Sequence, residues 1–472
     1  MGAGRPQRTA ILGGGALGLT VALRLAQQGQ PVVVLEREPV AGGLAAGFQP
    51  APELPDGGPF LEKFYHHLFR SDTAITALIE ELGLGSRLVW PRPVNALLWQ
   101  GRIWQPYTLT GLLRFAPLPL ADRLRMGVVL AYLKAQRNYR QFEGQTAHHW
   151  LRRWMGARAY DLFWAPLLRA KFGDRYDQVA MPWFWARIHY RSFALGYLKG
   201  GFQTLYDALV AEIRRLGGEV LLGQEVVAVR HDPPRSDGAG AAGRSEQSQS
   251  EEGQWLVTWR DVAQCPRAGC GQETRRFVRV VSTLPVRLTI RLAPQLPEDY
   301  RRRYDWGEAY GAHCLVLALD RALLPRPVYW LNVNDPGYPF LVVVEHTHYL
   351  PAEEYGGRHL VYLGNYLPMD HPLFQMTKKE VLAEFLPALR RLNPAFSEDW
   401  VRESWSFSAP YAQPIVTRDY AQHIPPLKAP LPGLWIGSMF QVYPQDRGQN
   451  YSVALANRLA RAILDEGQAA RR

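Results

Sequence analysis

The stretch RTAILGGGALGLTVALRLAQQGQPVVVLERE, Arg8 to Glu38, decides the fold of this chain. The spacing of its apolar residues predicts a short strand, a glycine turn, an amphipathic helix ending near Gly29 and a second strand from Val32 to Leu35. A strand, a helix and a second strand in this order form a βαβ unit, in which the two strands lie parallel in one sheet. The sequence therefore predicts an α/β domain in this part of the chain.

Three glycines follow the first strand with the spacing G-x-G-x-x-G: Gly13, Gly15 and Gly18. The first permits a tight turn, the second lets a diphosphate approach the backbone, and the third lets helix and strand pack closely. The helix N-terminus then offers free N–H groups to negative charge. Glu36 closes the second strand, where a carboxylate accepts the ribose hydroxyls of an adenosine and repels a 2′-phosphate. The motif predicts a dinucleotide cofactor other than NADP.

Composition bounds the remaining possibilities. The 472 residues, 47% of them hydrophobic, are enough for two domains with a site between them. The net charge is +11, but no nucleic-acid recognition motif accompanies it, so we expect no nucleic-acid partner.

Three cysteines form no disulfide framework, and Cys265 and Cys270 lack the further ligands of a metal site. Without an apolar run of roughly 18 to 20 residues that could cross a bilayer, we expect a cytoplasmic protein.

The residues after Glu36 distinguish between the remaining dinucleotides. The sequence EREPVAGGLAAGF continues with a glycine pair, Gly42 and Gly43, followed by Leu44. This extended motif resembles the flavin amine oxidase, protoporphyrinogen oxidase and phytoene desaturase superfamily, in which the second glycine pair lies near the cofactor diphosphate. The resemblance implies FAD. No Cys lies between Tyr411 and Arg472, so we expect the FAD to be bound non-covalently.

Three distant segments fit the same superfamily. Residues 199–230 resemble the helix and strand that bring a valine, here Val226, against the adenine, and residues 278–292 resemble the crossing out of the FAD domain. Residues 433–463 resemble the closing strand and a helix, here starting around Asn450, whose N-terminal N–H groups face the flavin. The resemblance implies these cofactor-binding residues: Gly13, Gly15, Ala16, Leu17, Gly18, Glu36, Arg37, Gly42, Gly43, Leu44, Val226, Gly437, Ser438, Asn450, Tyr451 and Ser452.

The resemblance also implies the fold class and the domain division. We expect a discontinuous α/β FAD-binding Rossmann-like domain and an α+β substrate domain, in the amine oxidase or glutathione reductase-type fold. The FAD-binding domain is expected to comprise residues 1–90, 196–286 and 415–472. The substrate domain is expected to comprise residues 91–195, mostly helical in pattern, and residues 287–414, which alternate like strands. Residues 235–254, rich in Gly, Ser and acidic residues, predict a mobile insertion loop.

Two adjacent histidines in EKFYHHLF, His66 and His67, are the first candidates for a catalytic role. Together with YGGRHLVYLGNYLP (residues 355–368) and YAQPIV (residues 411–416), this segment resembles a bacterial protoporphyrinogen oxidase-like subgroup. UDP-galactopyranose mutases also carry a histidine-bearing segment here. In the superfamily it runs along the substrate side of the flavin. Either histidine could be a general base or a donor to flavin or substrate. Structural hydrogen bonding is the alternative, and a metal site would need further ligands at fixed spacing.

Tyr411 and Tyr443 are the candidates for an aromatic wall of the catalytic site, and core packing explains either equally well. The monoamine oxidases place a tyrosine of their aromatic cage where this chain has Gly448. Many relatives carry an acidic residue where it has Ser438. The first departure weakens the assignment of an amine substrate, and the second concerns the ribityl contact.

The resemblance implies an FAD-dependent oxidoreductase that dehydrogenates an organic substrate by hydride transfer to flavin N5, with oxygen or another electron acceptor. The alternative is a non-redox flavoenzyme of the UDP-galactopyranose mutase or isomerase type that works from reduced FAD. A flavin-binding protein without catalysis is a third class.

Two further segments each have two interpretations. WFWARIHYRSF, residues 183–193, combines Arg and aromatic side chains that could hold an anionic substrate, or it is a buried aromatic helix with solvated Arg. LLRFAPLPLADRLRMGVVLAYLK, residues 112–134, could make a peripheral contact with a membrane, or it is a pair of core helices.

Overall fold

The computed structural model describes residues 8–232, 254–264 and 271–469. The predicted insertion loop lies outside these residues except for Gln254, and so do Cys265 and Cys270. The α-helices of the described residues are α1 (Ala16–Ala26), α2 (Thr73–Glu81), α3 (Leu109–Leu113), α4 (Leu120–Ala135), α5 (Ala147–Met155), α6 (Ala157–Ala159), α7 (Ala165–Phe172), α8 (Met181–His189), α9 (Gln203–Arg215), α10 (Val286–Leu292), α11 (Glu298–Tyr304), α12 (Lys378–Leu392) and α13 (Gln449–Ala469).

The strands fall into several sheets. In chain order they are β1 (Thr9–Leu12), β2 (Val32–Leu35), β3 (Gly47–Phe48), β4 (Leu61–Glu62), β5 (Leu68–Phe69), β6 (Leu88–Val89), β7 (Val94–Trp99), β8 (Arg102–Trp104), β9 (Leu195–Leu198), β10 (Glu219–Leu221), β11 (Gln224–Asp232), β12 (Gln254–Asp261), β13 (Gln272–Phe277), β14 (Arg279–Ser282), β15 (Ala309–Leu319), β16 (Val328–Val333), β17 (Val342–Glu345), β18 (His359–Leu367), β19 (Val401–Pro414) and β20 (Leu434–Ile436).

A five-stranded parallel sheet with the order β10-β2-β1-β14-β20 confirms the βαβ unit and the fold class predicted from the sequence. Successive side chains point to opposite faces of the sheet, and both faces are covered, so its strands are buried on both sides. Ile11 and Val34 pack against α1, α9 and α13 on one face. Ala10 and Val33 pack on the other face against the antiparallel sheet β11-β12-β13. Sites in such sheets lie beyond the carboxyl ends of the strands.

A second, seven-stranded sheet has the order β19-β15-β18-β17-β16-β7-β8, with β16 and β7 parallel and the other neighbours antiparallel. Helix α12 covers one part of it. Strands β7 and β8 belong to the region that the sequence predicts to be mostly helical. They extend the sheet of residues 309–414, so the two parts of the predicted substrate domain share one sheet. The domain boundaries themselves stay a prediction.

Helices α3 to α8 form a third layer around an aromatic core that contains Trp164, Trp183, Phe184 and Trp185. Helices α4, α5 and α8 pack on one another. Among the described residues, no helix is long and apolar enough to pass through a bilayer.

Helix α1 crosses β1 so closely that only glycine fits at the crossing. A Cβ placed on Gly18 would lie 2.0 Å from the Gly13 carbonyl oxygen, and Gly13 itself has a φ of +105°. We predict that Gly18→Ala displaces α1, lowers the free energy of unfolding by about 2 kcal/mol or more and weakens FAD binding. Thermal unfolding and the ratio of flavin to protein absorbance after purification measure both effects.

The matched control is Gly467→Ala in α13, where a Cβ meets nothing within 4 Å. We expect this variant to keep its flavin and to be unchanged or slightly more stable, since alanine favours a helix. Equal stability and flavin content of the Gly18→Ala variant and the wild-type protein would contradict the interpretation of the crossing.

Candidate active site

The turn between β1 and α1 forms one half of a backbone cradle, and the second glycine pair forms the other. The Gly42 N–H donates to the Gly14 carbonyl oxygen over 2.9 Å. A Cβ on Gly43 would lie 3.3 Å from the Gly15 Cα, so the two backbones meet without side chains between them. Helix α1 begins here with no side-chain cap and no acidic residue in its first turn. Its N–H groups therefore remain available to an anion.

Glu36 lies at the other side of this turn. Its carboxylate accepts hydrogen bonds from the N–H of Gly14, at 2.6 Å, and the N–H of Glu38, at 2.9 Å. The Gln224 N–H donates to the Glu36 carbonyl oxygen over 2.7 Å, which brings the start of β11, and with it Val226, beside the carboxylate. The side chain of Arg37 is exposed and pairs with Glu38.

The C-terminal segment reaches the same region. Ser438 caps a short turn at residues 439–441, because its hydroxyl accepts from the Phe440 N–H. The Asn450 side-chain carbonyl accepts from the N–H groups of Ala74 and Ile75 and so caps α2. Both side chains stabilise the segments around the start of α13. In the buried Gln449, Oε1 accepts from Tyr206, and the amide Nε2 has no hydrogen-bond partner among the described residues.

A cavity of about 240 Å³ lies between the start of α13, the segment before β5, helices α7 and α8 and the seven-stranded sheet. Predicted site residues that line it are Leu44, His66, His67, Asn450 and Tyr451. Residues absent from the sequence-based site that line it are Tyr65, Asp72, Lys171, Trp330, Asn332, Tyr366, Asp446 and Arg447. Arg187 and Arg191, which the sequence assigned to a possible anion site, line it too.

Glu62 fixes the backbone that leads to the histidines. Its buried carboxyl group accepts from the Phe202 N–H at 2.7 Å and from the Tyr197 hydroxyl at 2.9 Å. The Tyr362 hydroxyl donates to the Glu62 carbonyl oxygen. Burial raises the pKa of Glu62 to about 7, against the smaller effect of these hydrogen bonds. Three distant segments thus hold the start of this stretch.

His66 is oriented by a hydrogen bond from its Nδ1 to the Phe64 carbonyl oxygen, 2.7 Å away. Because a carbonyl oxygen only accepts, Nδ1 carries the proton and Nε2 carries a lone pair. Burial lowers the pKa of His66 to about 4, and the positive charge of Arg447 adds to this effect. The ring is therefore neutral at pH 7, with an acceptor nitrogen in the cavity wall.

His67 lies in an aromatic environment. Its ring meets the rings of Phe69, Tyr329 and Trp330 edge to face, with centroids 5.3 to 6.2 Å apart. Burial lowers the pKa of His67 to about 3, and the nearby Arg191 lowers it further. The described residues hold no group of three His, Cys, Asp or Glu side chains that could bind a metal ion.

Four cationic side chains converge on the cavity. Lys171 and Arg187 approach the same Asp446 oxygen, at 2.6 and 3.4 Å. Burial alone would raise the pKa of Asp446, but the cations around it hold that pKa well below its usual range. Arg447 donates to the Tyr366 hydroxyl over 2.8 Å. Although burial opposes it, the charges of Arg447 and Lys171 lower the pKa of this tyrosine.

Arg191 is the fourth cation and has no acidic partner. Among the described residues, none makes a hydrogen bond or ion pair with its guanidinium group. Burial lowers the pKa of Arg191 to about 10, Arg187 lowers it further, and Tyr107 has the opposite effect. The guanidinium group stays charged at neutral pH.

Tyr411 and Tyr443 are not brought into this site. Neither occurs among the described residues that line the cavity. Tyr411 lies in β19 with a φ of +54° and packs against the core beside the parallel sheet. Tyr443 donates to Glu143 and packs against Tyr420 and Tyr139. Core packing, one of the two explanations open from the sequence, describes both positions.

A family model described as flavin containing amine oxidoreductase matches residues 18–441. The chain belongs to this family. Its cofactor is FAD, and the protein is a flavin-dependent oxidoreductase enzyme. The cradle fits this cofactor, since the Gly15–Gly43 contact and the uncapped α1 suit a diphosphate and the Glu36 carboxylate suits a ribose. Gln449 Nε2, which has no partner among the described residues, would be a further donor to the bound cofactor.

Solved structures share this amine oxidoreductase fold over nearly the whole chain. A provisionally assigned protoporphyrinogen oxidase from Exiguobacterium sp. 255-15 is 17% identical, with a TM-score of 0.71 and coverage of 98% of this chain and 99% of that one. A reduced UDP-galactopyranose mutase is 14% identical, with a TM-score of 0.69 and coverage of 97% and 96%. A fatty acid isomerase from P. acnes is 15% identical, with a TM-score of 0.63 and coverage of 97% and 98%. No match to a curated protein is found.

The sequence-based site lacked Lys171, Tyr366, Asp446 and Arg447. Asp446 and Arg447 stand in the polar loop QDRGQN directly before α13, and this position beside a predicted flavin-facing helix is the signal that could have identified them. Lys171 lies in α7 and Tyr366 in β18, where the sequence pattern carries no such signal.

The low pKa values of the two histidines predict how stability depends on pH. Below the ordinary imidazole pKa of 6.5, the unfolded chain takes up protons at these rings and the folded protein does not, so the free energy of unfolding falls as the pH drops from 6.5 toward 4. Each ring contributes up to about 1.4 kcal/mol per pH unit. We expect His67→Gln to reduce this fall, as measured by denaturant unfolding at several pH values.

The exposed His149 supplies the control, because His149→Gln should leave the slope between pH 4 and 6.5 unchanged. Glu62 acts in the opposite direction, since its raised pKa makes its contribution to stability disappear as the pH rises from 4.5 to 7. A slope that is the same in the His67→Gln variant and the wild-type protein would contradict the neutral state of this ring.

Proposed function

We propose that the protein is an FAD-dependent oxidoreductase that dehydrogenates a small organic substrate carrying an acidic group. The observation that carries the proposal is the charge of the cavity. Four cations line it, with two carboxyl groups, Asp446 and Asp72, and the Asp446 carboxylate is already shared between Lys171 and Arg187. A cationic amine would meet repulsion in this cavity, whereas an anion completes its charge balance.

Arg191 is the proposed binding group for the substrate anion. Arg191 is partly buried, and a guanidinium group in such a position without a partner is costly, because it has lost part of its water and gained no acceptor. Its planar donors match a carboxylate or phosphate bidentately. A substrate anion at Arg191 also offsets the repulsion between Arg191 and Arg187. Binding energy from this contact orients the rest of the substrate in the cavity.

His66 is the proposed proton acceptor. FAD, when bound, supplies the oxidant, since it accepts a hydride from a substrate C–H bond at N5. The proton lost from the adjacent N–H or O–H group goes to the lone pair of His66 Nε2, while Nδ1 stays hydrogen bonded to Phe64. Arg447 adds to the effect of burial on the pKa of His66, so a bound substrate anion that also approaches Arg447 would make this base stronger.

A non-redox rearrangement is the second candidate. The cationic cavity would equally hold a nucleotide diphosphate or a carboxylate, and two of the similar structures are a UDP-galactopyranose mutase and a fatty acid isomerase. A dehydrogenase is reduced by its own substrate, whereas a mutase works only after an outside reductant has acted.

The deciding experiment follows flavin absorbance in the purified protein without oxygen, against carboxylates, phosphorylated compounds, polyamines and UDP-galactose. We expect bleaching by an acid-bearing compound and none by polyamines, because the cavity repels cations. The bleaching compound should bind Arg191→Gln about 10- to 100-fold more weakly, the range of a lost charged hydrogen bond, with Arg191→Lys in between. Arg302→Gln, at an exposed position, is the control.

Bleaching by a polyamine would contradict the proposed substrate class. An absence of bleaching together with rearrangement of UDP-galactose by the dithionite-reduced enzyme would replace the dehydrogenase with the mutase.

For the same substrate, His66→Gln should lower the rate of flavin reduction about 100-fold or more, the usual contribution of a general base. The flavin-to-protein absorbance ratio should stay at the wild-type value, since the proposed role of His66 is to act on the substrate rather than to hold the cofactor. His149→Gln again serves as the surface control. A normal rate in His66→Gln would assign His66 a structural hydrogen-bonding role, and loss of FAD would assign it to cofactor binding.

A further inference from the structure

Helices α3 and α4 present a row of large apolar side chains to solvent, which we call the apolar face. Leu109 and Val128 are 72% and 70% exposed, and Leu120 and Leu124 are 54% and 52% exposed. Leu113 and Tyr132 complete it at 39% and 42%. Scattered apolar residues are common on protein surfaces, but a contiguous group of this kind marks a site of interaction.

The spacing within α4 places these side chains on one side of the helix. Leu120, Leu124, Val128 and Tyr132 recur every four residues, and Ala121, Ala131 and Ala135 are also exposed. The opposite side of α4 buries Met126, Val129 and Leu133 in the aromatic core. A surface helix normally turns polar residues to water. One solvent-facing side of α4 is therefore apolar, in addition to the side that faces the core.

Two charged side chains of α4 are engaged elsewhere. Lys134 Nζ donates to the carbonyl oxygens of His189 and Arg191, at 2.7 and 2.6 Å. Arg125 donates to the carbonyl oxygens of Arg153 and Trp154, both at 2.6 Å. These cations stabilise the ends of α8 and α5.

The surroundings of the apolar face are strongly basic. Residues 109–160 contain nine Lys or Arg and two acidic residues, so this segment carries +7 of the net charge of +11. Arg114, Arg137 and Arg140 are exposed near its ends. Asp122 lies 3.6 Å from Arg158, and Glu143 accepts from Tyr443. An apolar face surrounded by positively charged side chains is typical of a helix that lies in the interface of an anionic membrane.

We propose that the apolar face of α3 and α4 is a docking surface for an anionic lipid bilayer. The leucines and Val128 enter the boundary between head groups and acyl chains, and the rim arginines meet the lipid phosphates. Tyr132 and the half-exposed Trp154 are aromatic side chains of the kind that favours this depth. The site is independent of the proposed reaction.

Charge also distinguishes a bilayer from a second copy of the chain. A two-fold interface brings the same patch of both subunits together. Two segments of charge +7 would then face each other with few acids to offset them. Anionic lipid supplies the complementary charge, and a second copy does not.

The test is co-sedimentation of the FAD-loaded protein with vesicles of phosphatidylcholine, with and without phosphatidylglycerol. We expect binding to vesicles that contain phosphatidylglycerol and weaker binding as salt increases. Leu124→Glu/Val128→Glu should weaken binding at least tenfold, because it places charge in the apolar boundary. Arg137→Gln/Arg140→Gln should weaken it about 30-fold, since each of the two rim cations contributes roughly 1 kcal/mol.

Met369→Glu is the matched control, an exposed apolar residue on another part of the chain, and should bind as the wild-type protein does. The flavin spectrum and the melting temperature show whether each variant is folded. Absence of binding at low salt, equal binding by folded Leu124→Glu/Val128→Glu, or a dimer in solution that this variant dissociates would overturn the proposal.

Discussion

The contact between the Gly13 carbonyl and Gly18 is the constraint on which the other parts of the site depend. It sets the position of α1 against the central strand β1, and α1 in turn packs against α9 and α13. Because α13 packs on α1 and begins at the cavity, the place of Gln449, Asn450 and Tyr451 depends on this backbone crossing. Cofactor cradle and cavity wall are therefore parts of one packing arrangement rather than two separate sites.

The charged side chains of the cavity affect both substrate binding and the proton transfer that we propose. Burial is the main cause that keeps both neighbouring imidazoles unprotonated, and the positive potential of Arg447 at His66 and of Arg191 and Arg187 at His67 acts in the same direction. The same charges would attract an acidic substrate, whose arrival lowers the potential and makes His66 a better proton acceptor. In the proposed mechanism, the same side chains make His66 a weak base in the free enzyme and a stronger base in the substrate complex.

The sequence predicts the fold well because its signals are local. The glycine spacing, the two strands and Glu36 lie within thirty residues, and the structure contains the strand, helix and strand where the pattern places them. Strands β7 and β8 were missed although Gln100-Gly101 between them forms a two-residue hairpin turn, and only the pairing of β7 with β16 lacks a local signal. Lys171 and Tyr366 were missed because their contact with the cavity depends on pairings across nearly 200 residues. Tyr411 and Tyr443 are the opposite case, because the sequence pattern does not distinguish an aromatic residue of a site from one that packs in the core.

The strand order β10-β2-β1-β14-β20 has a consequence for how the protein is made. Strand β1 is synthesised well before β14 and before β20 at residues 434–436, which complete its sheet. Helix α13, which covers α1, follows later still. Domains usually fold as units during synthesis, but the βαβ unit of β1, α1 and β2 lacks its neighbours until these distant segments have been made. Until then, the edge of β1 that pairs with β14 is open to incorrect pairing.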